Sequence, residues 1–182
     1  MLPSFQLSEP IVNAMVTLLE TELPGTIEQL NETIEDGYFI DPPVQYLPYM
    51  PFAATLEGGL PLVAVQRLGI DYTDPESADL VSSVWAKHQY AVIPVVQNAD
   101  HATLARQLER LMQAIVYTIN QDRVKGQAGS VMTQQGGAWA VRFLRIEPGP
   151  LLGDLDPMDP GQPPATYLSW LGLVLSSERE EI

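Results

Sequence analysis

Apolar and polar positions follow two different periods along this chain, and the switch between them is sharpest from Tyr90 to Asp122. Tyr90-Ala-Val-Ile-Pro-Val-Val96 is apolar throughout and reads as a strand buried on both faces. After Gln97-Asn-Ala, Asp100 stands where a helix N-cap acceptor belongs. Leu104, Leu108, Leu111, Ile115 and Ile119 then recur at spacings of four, three, four and four, which is one face of one helix. Arg106, Glu109, Arg110, Gln113, Tyr117 and Gln121 fall on the other side, the face expected to meet water or a partner.

Towards the N-terminus, Ser8-Glu9-Pro10 has the form of a helix start, with a capping hydroxyl, a first-turn acid and a proline where no N–H is needed. Ile11, Met15, Leu18 and Leu19 supply the apolar stripe, and Pro24-Gly25 is expected to stop the helix. Thr26 would cap a second helix carrying Ile27, Leu30 and Ile34, broken at Asp36-Gly37. From Tyr38 to Pro51 four prolines forbid a helix and disfavour a central strand, leaving an extended arm or an ordered loop. Tyr38, Phe39, Tyr46, Tyr49 and Phe52 are too many aromatics for a flexible linker. They require burial, either against the parent domain or against a neighbouring subunit.

Gly58-Gly59 leads into Leu60 to Gln66, the first predicted sheet strand, and Arg67 to Ser77 reads as a polar connection. A strand from about Asp79 to Lys87 either runs on into Tyr90 to Val96 or is separated from it by a bend at His88. Pro94 places that strand at an edge or at a bulge. Beyond the long helix, residues 123–137 form a glycine-rich loop, Ala138 to Glu147 a strand, and Pro148 to Pro164 a proline-rich loop. Tyr167 to Leu175 is the last strand and Ser176 to Ile182 an acidic tail expected to fray. The pattern predicts an α+β fold: a mostly antiparallel β-sheet with one long helix packed across it, plus N-terminal helices and long Pro-rich loops. At 182 residues a single domain is expected, with helices in 1–37, a Pro/aromatic arm in 38–59, the sheet-and-helix core in 60–175 and the tail in 176–182.

Charge sharpens this division. The net charge of −14 comes from nine acids and no Lys or Arg in residues 1–66, eight of each sign in 67–150, and six acids against one base in 151–182. The middle is neutral and the flanks are acidic. The acids of the first block form either a solvated face or a surface towards a basic partner or a DNA path. Such a chain repels phosphates, so no sequence-specific nucleic-acid binding is expected. No apolar run approaches the roughly 20 residues needed to span a bilayer, and the Met1-Leu-Pro-Ser-Phe start lacks the basic residues of a signal peptide. A protein made in the cytoplasm, without a membrane partner, is expected.

Catalytic chemistry has little to stand on. The absence of cysteine excludes disulfides, thiolate nucleophiles and cysteine metal sites. His88 and His101 are isolated, without the spacing that sets two ligands on one helix face. Asp154, Asp156 and Asp159 depart from calcium-loop spacing and lack its distal glutamate. Gly126, Gly129, Gly136 and Gly137 are not followed by the Lys and hydroxyl of a phosphate-binding loop, and no serine sits in a Gly-x-Ser-x-Gly elbow. No catalytic, cofactor-binding or metal-ligating residue is therefore assigned, and no cofactor is expected.

Taken together, the initial helix, the strand Pro61-Leu-Val-Ala-Val65, the strand His88 to Val96, the Asp100-capped helix and the strand Ala138 to Glu147 resemble a bacteriophage tail terminator or tail completion protein, a group that includes neck and minor tail proteins. The resemblance spans roughly residues 60–175 and lies in pattern rather than identity. It implies a structural virion protein, not an enzyme, forming a ring, commonly a hexamer, that caps the tail tube and joins it to the head connector. The implied partners are other copies of the chain, the tail tube and the neck proteins, with DNA passing through the ring and the virion as the final location. The arm at Tyr38 to Pro51 and the loop at Pro148 to Pro164 depart from a compact member, which leaves a baseplate or head-tail adaptor as the nearest alternative. A small metal-dependent enzyme and an adaptor for host proteins are the readings from other classes. On the ring reading the expected subunit-interface residues are Tyr38, Phe39, Tyr46, Tyr49, Phe52, Arg106, Arg110, Gln134 and Gln135.

Overall fold

Residues 9–49, 59–73, 84–98, 100–124, 142–151 and 167–181 are described by the structure, a computed structural model. The fold is α+β, and its centre is a pair of antiparallel strands, β2 (Leu62–Thr73) and β3 (Val84–Asn98), in register from Leu62 opposite Val95 to Thr73 opposite Trp85. Because successive strand residues point to opposite faces, Val63, Val65, Tyr90, Val92 and Val96 share one side, and Leu62, Ala64, Ala91, Ile93 and Val95 share the other. Both sets are buried, as an uninterrupted apolar run demands.

Two helices cover the first side. Helix α2 (His101–Val124) begins as its sequence predicts: the Leu104 amide donates to the Asp100 carbonyl at 2.9 Å and the Thr103 amide to the Asp100 carboxylate at 2.7 Å. Its stripe of Leu104, Leu108, Leu111, Ile115 and Ile119 is buried against β2, β3 and helix α1 (Glu9–Thr33). The expected pair of N-terminal helices is instead this single helix, which runs through Pro24. An internal proline costs about 3 kcal/mol and the adjoining glycine about 1. Leu19, Leu23 and Ile27 are all buried across the break, and each buried side chain of this size contributes roughly 1.5–3 kcal/mol, so the continuous stripe wins. Thr26, expected as a cap, sits inside the helix with its hydroxyl 3.2 Å from the Glu22 carbonyl, and Thr118 of α2 lies 2.9 Å from it across the helix interface.

The strand β1 (Gln45–Leu47) pairs parallel with β2, making a mixed three-stranded sheet. On the other flank β5 (Tyr167–Glu181) pairs antiparallel with β3, and β4 (Arg142–Leu151) with β5, so that the order is β1-β2-β3-β5-β4. Several expectations are corrected here. The first strand does not end at Gln66 but continues to Thr73 through a register shift between Arg67 and Gly69, since β3, the longer of the two, runs alongside it throughout. The strand containing Tyr90 to Val96 is unbroken at His88 and is central rather than an edge; Pro94 is accommodated because the β3–β5 ladder skips Ile93 and Pro94. The segment from Ser176 to Glu181 is not a frayed tail, because it pairs with the first residues of β3. Pro148 and Pro150 belong to β4, at the sheet edge, where a missing N–H is tolerated.

Replacing Pro24 by alanine restores an N–H inside α1 and should raise unfolding free energy by about 1–3 kcal/mol. A urea denaturation midpoint equal to or below that of the parent chain would contradict this account.

Candidate functional site

Of the residues that the sequence singled out as interface candidates, Tyr38, Phe39, Tyr46 and Tyr49 lie in the connection from α1 to β2, and Arg106 and Arg110 of α2 stand over the Tyr38 ring. This strap begins where α1 stops. The Asp36 amide donates to the Ile34 carbonyl at 2.9 Å, the Tyr38 amide donates to the Asp36 carboxylate at 3.1 Å, and Gly37 between them takes φ of 73°. A positive φ is the conformation that glycine adopts without strain, which is why the chain turns at this residue. Further along, the Asn31 amide group, on the last turn of α1, donates to the Ile40 carbonyl at 2.9 Å and accepts from the Ile40 amide at 3.1 Å. The Val44 amide donates to the Pro61 carbonyl at 2.8 Å, and Gln45 Nε2 to the Gly59 carbonyl at 3.0 Å. Backbone and amide bonds therefore fix the strap at both ends.

Its middle is fixed by α2. The guanidinium of Arg110 donates to the Asp36 carboxylate and to the Tyr38 carbonyl, and its side chain is only 7% exposed. Arg106 lies 3.9 Å from the same carboxylate, and the two guanidinium carbons stand 5.3 and 4.9 Å from the centre of the Tyr38 ring. Cations over a ring face are attracted by its quadrupole, so Tyr38 shares with Asp36 the task of holding two adjacent positive charges. The Tyr38 hydroxyl completes the contact by donating to the Thr103 carbonyl at 3.3 Å. The hydrogen bond from Arg110, followed by that from the Tyr38 amide, lowers the Asp36 carboxyl below its ordinary 3.8. Burial raises the Tyr38 phenol, against the opposing pull of the two arginines.

The five aromatics of the arm divide. Tyr38 and Tyr46 pack against the helix-covered core, so for these two the parent domain supplies the cover. Phe39 is 66% exposed and Tyr49 58%, with Val44 between them also exposed. Phe52 lies outside the described residues, as do Gln134, Gln135 and the Gly126 to Gly137 loop. Arg106 is on the exposed face of α2 as expected. Arg110 is not: it is buried, and its charge is taken up by an acid of its own chain. Sequence reading passed over Asp36 as one acid among many and did not single out Asn31 at all. The available signal was arithmetic, since in a block of nine acids with no Lys or Arg any ion-pair partner within the chain has to come from another element.

Tyr46 differs from Tyr38 in having a buried hydroxyl with no hydrogen-bond partner among the described residues. Burial, with a smaller contribution from Glu20, pushes its phenol up to about 12. Among the described residues no group of three or more His, Asp or Glu is placed to hold a metal ion, and no helix is long and apolar enough to cross a membrane. The acidic loop of Asp154, Asp156 and Asp159 lies outside the described residues. Comparison of the chain with protein-family models and with curated proteins finds no match.

Two outcomes are expected. Because the folded Asp36 carboxyl titrates below its unfolded value, its stabilisation is complete above pH 3.8 and is lost as pH falls through the lower folded value. Asp36→Asn should therefore flatten the acid side of the stability profile and, by leaving Arg110 buried without its anion, destabilise the chain at neutral pH; a profile parallel to the parent's would refute the pairing. Tyr46→Phe removes an unpartnered buried hydroxyl and should leave stability unchanged or raise it by about 1 kcal/mol. The same substitution should abolish an absorbance transition near pH 12. The raised phenol also means that the parent loses stability as pH rises from 10 towards 12, a loss that should be smaller in the variant, where of these two phenols only that of Tyr38 remains.

Proposed function

We propose that this chain is a non-enzymatic structural subunit of a bacteriophage virion, a tail terminator or neck protein whose copies form a ring that caps the tail tube and meets the head connector. On this reading the domain is a mostly antiparallel sheet with α2 packed across it, and its strap and loops make the contacts with neighbours.

The observation that carries the reading is the outward presentation of Phe39, Val44 and Tyr49. Phe39 lies between Tyr38 and Ile40, whose carbonyls accept from Arg110 and Asn31, and the Val44 amide is held by the Pro61 carbonyl, so these two project from tethered backbone, with Tyr49 two residues beyond β1. Preorganised aromatic groups lose little entropy on association and are enriched where proteins meet. The acidity of the chain supports the same reading, since a ring of such subunits would let DNA pass without adsorbing it.

Size-exclusion chromatography with light scattering, followed by negative-stain imaging, should show a closed ring of the purified chain. Phe39→Ser combined with Tyr49→Ser should shift the population towards monomer while leaving the circular dichroism spectrum unchanged. A parent chain that stays monomeric at high concentration, with no ring in virions, would overturn the proposal.

A further inference from the structure

Asp36 is followed by Gly37, the one place in this chain where aspartate or asparagine precedes glycine. That dipeptide has a chemistry of its own. The backbone nitrogen of the second residue can attack the side-chain carboxyl carbon of the first, and glycine, having no Cβ, leaves the approach unhindered. Here it is open from outside as well: a Cβ added at Gly37 would meet nothing within 4 Å, and Asp36 is exposed.

The reaction balances with water alone. A bond forms between the Gly37 nitrogen and Asp36 Cγ, and one carboxyl oxygen leaves as water, carrying the amide proton and the carboxyl proton. A five-membered succinimide ring results. Water then adds to either ring carbonyl. Opening at the side-chain carbonyl restores aspartate, whereas opening at the main-chain carbonyl gives isoaspartate, in which the backbone runs through Cβ and Cγ and is one methylene longer. The net change is an isomerisation, with no oxidant or reductant.

The surroundings of Asp36 oppose the first step. An ionised carboxylate is a poor target for the nitrogen, because oxygen leaves as water only from the protonated acid. Arg110 donates to Oδ2 from a buried position on α2, and the Tyr38 amide donates to Oδ1 at 3.1 Å. Arg106 adds a second positive charge 3.9 Å from the same Oδ2. These bonds hold the carboxyl ionised to below its ordinary 3.8, and turning it towards the Gly37 nitrogen means giving up at least one of them. Arg110 also donates to the Tyr38 carbonyl and stands over the Tyr38 ring, so one side chain clasps both the carboxylate and the residue that follows the glycine.

We propose that Asp36–Gly37 is a site of spontaneous modification gated by Arg110: with the clasp closed residue 36 stays aspartate, and with it open the residue passes through the succinimide to isoaspartate. Conversion reinforces itself. The ring is neutral and removes the anion that buried Arg110 needs, and the extra methylene displaces the Tyr38 carbonyl along the chain from its donor. This chemistry belongs to the chain alone and is independent of what the chain assembles with.

Isoaspartate at residue 36, read by electron-transfer fragmentation mass spectrometry, tests the gate in the full chain held at neutral pH for several weeks. The folded parent should convert several-fold more slowly than the same chain unfolded in guanidinium chloride. Arg110→Gln, shown to be folded by circular dichroism, should convert several-fold faster than the folded parent. Ile115→Val loosens the buried core away from the clasp and should keep the parent's slow rate. Equal rates in the folded and unfolded parent overturn the proposal, as does an absence of isoaspartate in the unfolded chain. An Arg110→Gln rate no faster than the parent's, or an Ile115→Val rate as fast as that of Arg110→Gln, overturns it too. Should Arg110→Gln not fold, Arg110→Lys takes its place, keeping a cation without the two-pronged donation. Its rate must then fall between those of the folded and the unfolded parent; a rate equal to that of the folded parent overturns the gate.

Discussion

A pair of strands apolar on both faces cannot be satisfied by a single layer of cover. This constraint, set by the runs Leu62 to Val65 and Tyr90 to Val96, organises the described part of the molecule. One face takes α1 and α2 together, because a single helix is about 10 Å across and spans only two strand spacings. With both helices on one side, their mutual boundary becomes part of the core, and Thr26 and Thr118 meet there, each hydroxyl also within hydrogen-bond reach of a carbonyl of its own helix. The other face buries Leu62, Ala64, Ala91, Ile93 and Val95, joined by Leu47 from β1 and by Leu60.

The strap follows from a second requirement, that a buried cation keep its partners. Arg110 is flanked on α2 by Leu108, Leu111 and Met112, all of them buried, and it cannot turn to solvent without displacing the strap. Its two donations, to a carboxylate and to a main-chain carbonyl, offset the loss of hydration. Arg106, one turn earlier, contributes charge and ring contact but remains half in water, so it is the weaker member of the pair. The exposed Phe39 thus follows directly on a residue, Tyr38, that Arg110 holds from the inner side.

What could be read from the sequence was whatever local chemistry decides. The Asp100 cap and the four-three-four-four spacing after it need only neighbours in the chain, and both appear as expected. The apolar strand beside them was equally plain. Pro24 was misread because its local penalty is visible in the sequence, whereas the compensating burial of Leu23 and Ile27 depends on α2 and the sheet. Strand lengths failed for the same kind of reason. Ser176 to Glu181 carries no strand signal of its own and extends because a partner runs alongside, whereas the alternation of Leu68, Ile70 and Tyr72 with polar residues was a strand period that the neighbouring Gly69 and Asp71 obscured. Arg110 lies one position outside the apolar stripe, and no helical period distinguishes an exposed arginine from one that meets an acid 74 residues away.

The charge asymmetry of the first 66 residues has a further consequence, in the order of events during synthesis. That segment emerges from the ribosome first, with its acids unmatched and the stripe of α1 uncovered. Its cation at Arg110, and the hydroxyl at Thr118 that meets Thr26 from 92 residues away, are made only later. The native packing of α1 is therefore completed only once α2 has been made, and with it the ion pair that holds the start of the strap.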